Sequence, residues 1–501
     1  MSKEFKHVIV ISFDSLSSFD FELLKNLPNF SKLLKKSFFC PYVKTVYPSL
    51  TYPAHVSIST GKLPNEHGVI NNTRRQYNSN DPDWFWLSSY IKDETIFDLA
   101  TQSGKSVAAL LWPVTGRAKI KYNMPEVFPN RWWRSQIVLS LINGSIAFQF
   151  MMNLKYGKHR DGKKQPGLDD FTHHVFLDTI KEKKPELTMV HFTDLDTHRH
   201  LYGNFSTEAN KALIRHDERL GDVLRLLDAE EMLENTALVV LGDHASVDAS
   251  HVIKLNVLLK EKGFLKINEK GDLVSFRYIV KSCDGSAYIY KSEEQEDKNA
   301  AIKNKSAERE NDTDTDTDTD RKNLISLLEE FREKNPCIKE IIPKEKSAEL
   351  GFDSECEYIL EAANGYYFMD GFLGEVIESV EGKNGYGIHY MKSTHGYSPE
   401  KPGYGTVFIV STDLDEVMYP TVKKIEAPQT LKDFIKDKNV EETDSIKIKV
   451  DDDSDENCDE IYKDDIDDSD DYGDDYDDGV ELSNKKLTDE FYVIKELLGL
   501  K

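Results

Sequence analysis

Five short apolar runs, each rich in β-branched residues, alternate with helical patterns along this chain. We predict these runs as strands: His7 to Phe13, Ser106 to Leu111, Leu187 to Thr193, Thr236 to Leu241 and Thr406 to Val410. Between them lie periodic helices such as Glu208 to Leu227, which Ser206 and Thr207 can cap. Apolar strands that alternate with helices are typical of a sheet covered on both faces. The sequence therefore predicts an α/β fold.

Two segments interrupt the alternation and divide the chain. With 501 residues, the chain exceeds what a single core usually fills, so we expect one large domain with insertions, or two to three domains. The predicted division is core at 1–111, cap insertion at 112–178, core at 179–278, second inserted subdomain at 279–368, core at 369–435, acidic low-complexity segment at 436–482 and C-terminal helix at 483–501. The second insertion contains the repeat NDTDTDTDTD, which is predicted as a flexible loop because it cannot bury any surface.

The net charge of -25 is concentrated in one block. Residues 451–480 contain 17 Asp and Glu against the single Lys463, a charge of -16 that leaves -9 for the rest. Such a block is typical of a solvated, disordered segment, with divalent-cation buffering or docking to a basic partner as alternatives. The acidity argues against a nucleic-acid-binding surface, because phosphate contacts need clustered Lys and Arg.

The cysteines and the N-terminus favour a reducing compartment. The five cysteines are odd in number and lack CxxC spacing, so they predict neither a disulfide framework nor a zinc-thiolate site. No hydrophobic signal core precedes the first predicted strand, and we expect a cytoplasmic protein. The longest apolar stretch, the 17 residues from Ile137, is shorter than the roughly 20 that a spanning helix needs. It is predicted as a buried or lid helix, with an interfacial role as the alternative, and no membrane span is expected.

Six side chains of the types that bind metals follow the predicted strands in four clusters. They are Asp14, Asp196, His200, Asp243, His244 and His395. Ligands of open α/β sheets bind at the carboxyl ends of the strands, so one fold can bring these clusters to a common edge. Three carboxylates and three imidazoles suit paired zinc ions better than magnesium, which prefers oxygen ligands, although other divalent cations remain possible.

Some assignments within these clusters stay open. Asp196 and His200 are four residues apart and can face one ion from a helical turn, but Asp194 and His198 compete with them. Adjacent side chains in a strand point apart, so we expect Asp243 and His244 to diverge or to straddle two ions.

A candidate nucleophile lies in the string SLTYPAH. Thr51 precedes a helix-like stretch, whose N-terminus would offer N–H groups to a phosphate oxygen. Its hydroxyl needs activation, which a zinc ion can supply. Ser49 is a rival two residues away, and both hydroxyls can instead cap the helix.

Five strings in this order resemble the type I phosphodiesterase/nucleotide pyrophosphatase family of the alkaline phosphatase superfamily. They are ISFDSL, LTYPAHVSISTGKLPNEHGVINN, DLDTHRHLYG, GDHAS and THGYSP. The resemblance extends to about Val410 and is loose in the two insertions. It implies an alkaline-phosphatase-like α/β/α sandwich with a mostly parallel central sheet and inserted cap regions.

The resemblance also implies roles for single residues. One zinc ion would be held by Asp196, His200 and His395, and the other by Asp14, Asp243, His244 and the nucleophile Thr51. Asn72 would donate to a phosphate oxygen, with the neighbouring Asn71 as the alternative. Ala54 departs from the family, in which many members have asparagine, but that asparagine is not a ligand.

The implied function is hydrolysis of phosphodiester or phosphoanhydride bonds in a small-molecule or nucleotide substrate. Phosphomonoester hydrolysis, phosphonate cleavage and phosphate transfer within a sugar are the alternatives on the same fold. A monoesterase would need extra cations, for which Arg117, Lys119 and Lys121 are candidates. A sulfatase is disfavoured because SLTYPAH lacks its modified nucleophile, and an acidic interaction protein with a decayed core is disfavoured because every ligand position is filled. Aromatic residues at 84–86 and 132–133 can stack a base or line a lipid tail equally well.

Overall fold

The computed structural model describes residues 4–77, 81–127, 129–131, 135–292, 313–382, 390–419, 480–481 and 485–500. Residues 436–479 of the predicted acidic segment, the aromatic pair at 132–133 and Cys458 lie outside the described residues. The other four cysteines are buried and form no disulfide among the described residues.

A central sheet of nine strands organises the chain. Its strands are β1 (His7–Phe13), β2 (Phe38–Lys44), β3 (Val107–Leu110), β4 (Tyr122–Met124), β5 (Leu187–Phe192), β6 (Thr236–Leu241), β17 (Thr406–Ser411), β18 (Val480–Glu481) and β19 (Lys485–Lys486). The order is β18-β2-β17-β6-β1-β5-β3-β4, with β19 also on β2. Strand β1 pairs in parallel with β5 and β6, while β17 is antiparallel to both of its neighbours. The predicted α/β fold with a mostly parallel sheet is confirmed.

Each face of this sheet is covered by helices. Alternate residues of β1 point to opposite faces, so Ile9 and Ile11 join one hydrophobic core and Val8 and Val10 join the other. The first core includes side chains of α1 (Phe21–Leu24), α2 (Pro28–Leu34), α8 (Gly167–Asp178), α10 (Thr207–Ala229) and α14 (Leu414–Met418). The second includes side chains of α3 (Thr51–Thr60), α5 (Ile96–Gln102) and α15 (Asp489–Leu497). This arrangement is an α/β/α sandwich, as the family resemblance implies.

The second insertion forms its own antiparallel sheet with a packed helix. The sheet order is β10-β11-β13-β12, and its strands are β10 (Tyr278–Cys283), β11 (Ser286–Lys291), β12 (Ile338–Pro343) and β13 (Tyr358–Ala362). Helix α12 (Thr313–Lys334) packs on this sheet through Leu324 and Leu328. The helix begins inside the Asp-Thr repeat, so residues 313–320 are helical and not the predicted loop. Extending a nucleated helix costs little, because each added residue forms one further backbone hydrogen bond.

Shorter elements complete the fold. The strands are β7 (Val247–Ile253), β8 (Leu265–Ile267), β9 (Leu273–Phe276), β14 (Gly365–Phe368), β15 (Ile377–Ser379) and β16 (Ser393–Thr394). The helices are α4 (Pro64–His67), α6 (Gln136–Asn143), α7 (Ile146–Tyr156), α9 (Asp194–Tyr202), α11 (Leu255–Glu261) and α13 (Ser347–Leu350). The segment predicted as a cap, 112–178, includes strand β4 and helix α8, both of which belong to the central fold. Among the described residues, no helix combines the length and the apolar character needed to cross a bilayer.

Candidate active site

The carboxyl ends of three adjacent strands bring the predicted ligands together. Asp14 directly follows β1, Asp243 comes two residues after β6, and Asp196 lies in the first turn of α9, which follows β5. Because β1 lies between β5 and β6, these three segments meet at one edge of the sheet. The chain after β1 turns sharply, with Ser15 in the left-handed region at φ 67°, and the Ser15 N–H donates to Asp243 Oδ1 at 3.0 Å.

One cluster consists of Asp14, Asp243 and His244, all buried, with ligand atoms within 4.8 Å of one another. His244 Nε2 lies 3.2 Å from Asp14 Oδ1 and 3.3 Å from Asp243 Oδ2. The expectation that Asp243 and His244 diverge or straddle two ions was wrong. The pair lies in a bend beyond the end of β6, where the alternation of side chains in a strand does not apply.

The second cluster consists of Asp196, His200 and His395. Helix α9 places His200 one turn after Asp196, with His200 Nε2 3.0 Å from Asp196 Oδ2. The Nδ1 atoms of His200 and His395 face the backbone carbonyls of Ser393 at 2.7 Å and Ser49 at 3.3 Å. These contacts leave both Nε2 atoms directed to the cluster, as in histidines that bind metals. The ring centroids of His395 and His244 are 3.8 Å apart, so the two clusters are neighbours.

The electrostatics of these clusters fit bound cations. Asp14 Oδ1, Asp196 Oδ1 and Asp243 Oδ2 are buried without a hydrogen-bond partner. Burial, together with the charge of Asp14, raises the pKa of Asp243 to about 7. Burial lowers the pKa of His200, but the charge and hydrogen bond of Asp196 outweigh it and raise that pKa to about 9. Unpaired buried carboxylate oxygens are costly, and divalent ions held by oxygen and imidazole ligands would satisfy them.

Thr51 lies beside the first cluster. It is the first residue of α3, and its Oγ1 is 3.1 Å from His244 Nε2. The hydroxyl of the rival Ser49 contacts the carbonyl of Tyr397 and the hydroxyl of Tyr404, each at 2.8 Å, on the side of the inserted subdomain. Neither hydroxyl caps α3, whose N-cap residue is Leu50. The geometry therefore favours Thr51 over Ser49 as the reactive hydroxyl.

The two asparagines at the end of HGVINN have different surroundings. Asn72 Oδ1 accepts a hydrogen bond from the N–H of Tyr52 at 2.9 Å, which fixes its amide next to Thr51. The Asn71 amide instead donates to the carbonyl of Ser282 at 2.9 Å in strand β10. Asn72 is thus placed at the catalytic edge, while Asn71 ties the core to the second insertion.

The sequence did not predict three groups that support the site, namely the buried His191 and His55 and the half-buried Glu126. His191 in β5 has its Nε2 3.2 Å from Asp14 Oδ2 and its Nδ1 3.6 Å from Glu126 Oε2. His55 in α3 faces the carbonyl of Thr51 at 2.8 Å and Asp243 Oδ2 at 3.5 Å. A histidine inside the apolar run LTMVHF was the one available signal, because a buried imidazole needs polar partners.

The competing candidates Asp194 and His198 face away from both clusters. Asp194 Oδ2 accepts hydrogen bonds from Arg215 at 2.6 Å and Arg219 at 3.3 Å, and Asp194 Oδ1 lies 3.0 Å from His198 Nδ1. This buried network joins α9 to α10, so Asp194 orients the helix that carries Asp196 and His200.

A large cationic cavity of about 990 Å³ lies between the core and the second insertion, and it is lined in part by Asn71 and Thr73. Its lining includes Arg74, Arg75, Lys92, Arg131, Lys281 and Lys291 against Asp353 and Glu355. Arg74 stacks on the ring of Tyr90, with 5.0 Å between guanidinium carbon and ring centroid. Such a lining suits an anionic ligand with an aromatic part.

The cations predicted for a monoesterase lie elsewhere. Lys119 and Lys121 line a shallow cavity with Lys105, Ser106 and Val107, at the start of β3 and therefore opposite the catalytic edge. Arg117 donates from Nε to Asn143 Oδ1 at 3.0 Å and lines a different, apolar cavity. No specific observation thus favours the monoester alternative.

Comparisons with known proteins find related sequences and a related fold. The family model described as Type I phosphodiesterase / nucleotide pyrophosphatase matches residues 8–398. Venom phosphodiesterase 2 of Crotalus adamanteus is 28% identical over 233 residues, which cover 45% of this chain and 25% of that protein. Human bis(5'-adenosyl)-triphosphatase ENPP4 is 25% identical over 262 residues, 50% of this chain and 49% of that protein. The chain thus spans about a quarter of the venom enzyme's length and about half of the ENPP4 length.

A solved structure shares the fold. Human ectonucleotide pyrophosphatase/phosphodiesterase 5 aligns with a TM-score of 0.55 and 14% sequence identity, covering 99% of this chain and 95% of that chain. At this identity the likeness concerns the architecture of the central sandwich and its insertions.

Proposed function

The chain belongs to the type I phosphodiesterase/nucleotide pyrophosphatase family, and we propose that it hydrolyses phosphodiester or phosphoanhydride bonds with Thr51 as nucleophile. One observation carries this proposal. Three oxygens lie within 3.3 Å of the single nitrogen His244 Nε2: Thr51 Oγ1, Asp14 Oδ1 and Asp243 Oδ2. A hydroxyl group, two carboxylates and an imidazole that lie this close together can all bind the same cation.

Two divalent ions, with zinc as the expected metal, fit the residues present. One would be held by Asp196, His200 and His395, and the other by Asp14, Asp243 and His244. The mixed imidazole and carboxylate set suits zinc, whereas magnesium prefers oxygen ligands alone. Bound ions of this kind neutralise phosphate charge and lower the pKa of a nearby hydroxyl group.

Thr51 carries the covalent step. Its hydroxyl loses a proton, its oxygen forms a bond to phosphorus, and the bond from phosphorus to the leaving oxygen breaks as that oxygen takes up a proton. Water then attacks the same phosphorus, the bond to Thr51 breaks, and the threonine hydroxyl is restored. The balance consumes one water molecule and gives two products.

Asn72 and the buried histidines position this reaction. The Asn72 amide oxygen is occupied by the N–H of Tyr52, so its amide nitrogen is the group left to donate to a non-bridging phosphate oxygen. His55 holds the backbone carbonyl of Thr51, and His191 holds Asp14. These contacts keep the nucleophile and its neighbours aligned before substrate binds.

The cationic cavity supports a substrate whose leaving group carries further negative charge. The cavity lining includes Asn71 and Thr73, which flank Asn72 in the chain, and we propose that the leaving group extends from phosphorus toward it. Arg74 and Lys92 would pair with anionic groups of such a substrate, and Tyr77 and Phe276 would contact an aromatic ring. We therefore propose nucleotides and their polyphosphates as the substrate class.

The test compares a phosphodiester and a phosphomonoester of the same chromogenic alcohol, in the presence of zinc. The account predicts that the diester is the better substrate by kcat/KM, and that a chelator abolishes its turnover. Equal or faster turnover of the monoester would identify the protein as a phosphomonoesterase. Diester turnover that persists after metal removal would refute the two-ion centre.

A further inference from the structure

An exposed apolar face lies on the two helices of the cap. Of the 16 large apolar or tyrosine side chains that are exposed in the described part of the chain, seven fall within residues 137–154. They are Ile137, Val138, Ile142, Ile146, Phe150, Met151 and Leu154, each between 47% and 70% exposed. Scattered apolar side chains are ordinary on a protein surface, but a contiguous group marks an interaction surface. We call this group the cap face.

The helices that carry the cap face are firmly anchored. Their opposite sides bury Leu139 against Tyr52 and Trp86, and Phe148 and Met152 in the main core. Ser140 and Gln149 join α6 to α7, with Gln149 Nε2 donating to the Ser140 carbonyl at 2.9 Å. The exposed side is therefore a fixed surface and not the consequence of loose packing.

Gly144 lies in the turn between α6 and α7 and allows the backbone to pass close to its neighbours. A Cβ at this position would come within 2.6 Å of Asn123, Pro125 and Gln149, so only glycine lets the backbone pass there. The turn between the two helices is thus closely packed. On α7 the exposed side chains Ile146, Phe150 and Leu154 recur every four residues and share one side of the helix, as do Val138 and Ile142 on α6. The segment that was predicted as one buried or lid helix is thus two helices, with one side buried and the other exposed to solvent.

Basic residues accompany the cap face. Residues 112–167 contain ten Lys and Arg against two Asp and Glu, a charge of +8, which leaves -33 for the rest of the chain. Five of the ten lie in the last turn of α7 or in the segment that follows it, namely Lys155, Lys158, Arg160, Lys163 and Lys164. This basic segment therefore also carries the largest group of exposed apolar side chains in the described part of the chain.

From this coincidence we propose that the cap face docks on an anionic lipid surface. Helices with an apolar side and basic neighbours lie in the plane of a membrane interface, and anionic lipids attract the basic groups. A second copy of the chain fits less well, because pairing two cap faces would bring together two segments of charge +8. Helices of 8 and 11 residues are too short to span a bilayer, so the contact is peripheral.

The docked face adjoins the catalytic edge. Val138, Leu139 and Ile142 line an apolar cavity of about 520 Å³ together with Trp84 and Trp86. The Trp84 ring is 5.2 Å from the ring of Tyr52, the neighbour of Thr51. Docking would bring the surroundings of the nucleophile to the lipid surface, although binding itself does not depend on the proposed chemistry.

Vesicle flotation of the full chain tests the proposal. We expect binding to phosphatidylcholine vesicles that contain phosphatidylserine, weaker binding at high salt, and little binding to phosphatidylcholine alone. The double variant Phe150→Glu/Leu154→Glu should bind at least about tenfold more weakly, because it removes apolar contact and adds negative charge. The matched control is Phe205→Glu/Leu373→Glu, which changes two equally exposed side chains outside the cap.

Each outcome decides the proposal. Both double variants should keep the melting temperature of the parent protein, since all four side chains are exposed. Absence of binding to the anionic vesicles, or equal binding of the two variants, overturns it. Self-association that the Phe150→Glu/Leu154→Glu variant abolishes, seen by sedimentation, would assign the cap face to a second copy instead.

Discussion

At the carboxyl edge of β1, β5 and β6 polar side chains are buried and held by one another, whereas on the cap face apolar side chains are exposed to solvent. The edge is built from strand ends whose positions follow from the sheet, and histidines behind it fix the ligands. The cap is an insertion whose inner side is packed and whose outer side is left open. If the two proposals hold, the core determines the chemistry, and the insertions determine which molecules and surfaces reach it.

Among the variants of the catalytic edge, removal of the proposed nucleophile should have the largest effect on activity. Thr51→Ala should lower kcat on a diester by at least about 10³-fold, as loss of a covalent nucleophile does elsewhere. The metal content, measured by atomic emission, should stay near that of the parent, because six protein ligands remain. Ser49→Ala is the matched control. If Ser49→Ala lowered kcat more than Thr51→Ala does, Ser49 would be the nucleophile instead.

Removal of His191, which contacts the proposed metal ligand Asp14, should have an intermediate effect, namely weaker metal binding. His191→Ala leaves Asp14 without the imidazole at 3.2 Å, and metal affinity should fall by about 10- to 100-fold, as for other partners of metal ligands. Titration with zinc against a competing chelator measures this change. His159→Ala in the cap is the control, and equal affinities for the two variants would mean that His191 does not position Asp14.

The cationic cavity should affect substrate binding more than chemistry. Arg74→Ala should raise KM for a dinucleoside polyphosphate several-fold, while kcat/KM for a small diester with an uncharged leaving group stays the same. Arg225→Ala is the control, because Arg225 is exposed and pairs with Asp222 outside the cavity. A parallel loss on both substrates would place Arg74 in the catalytic machinery or in the stability of the fold.

Deletion of the acidic block should have the smallest effect on activity. Deletion of residues 451–478 removes 17 acidic residues and none of the predicted ligands, and kcat/KM on a soluble diester should be unchanged. A deletion protein that melts like the parent but has lost activity would give the block a catalytic or regulatory role.

The sequence predicted the sheet edge better than the insertions, for physical reasons. Strands such as His7–Phe13 and Thr236–Leu241 were found at their observed bounds because apolar runs buried on both faces leave a clear pattern. The six ligands were found because they follow these runs. His55 and Glu126 were missed, since their roles depend on contacts far apart in sequence.

Details that depend on local geometry were predicted less well. The divergence expected for Asp243 and His244 assumed a strand that had already ended at Leu241. The Asp-Thr repeat was predicted from composition alone, and its continuity with a packed helix was not visible there. The apolar stretch from Ile137 gave no sign of which side would be covered, because that depends on the surface against which the cap packs.

Trapping of a covalent intermediate tests directly whether Thr51 is the nucleophile. The enzyme is mixed with a diester substrate, quenched in acid within the first turnovers, and digested for peptide mass spectrometry. The account predicts an added phosphoryl ester on Thr51, and none in Thr51→Ala. An adduct on Ser49, or rapid turnover without an adduct on any residue, would contradict it.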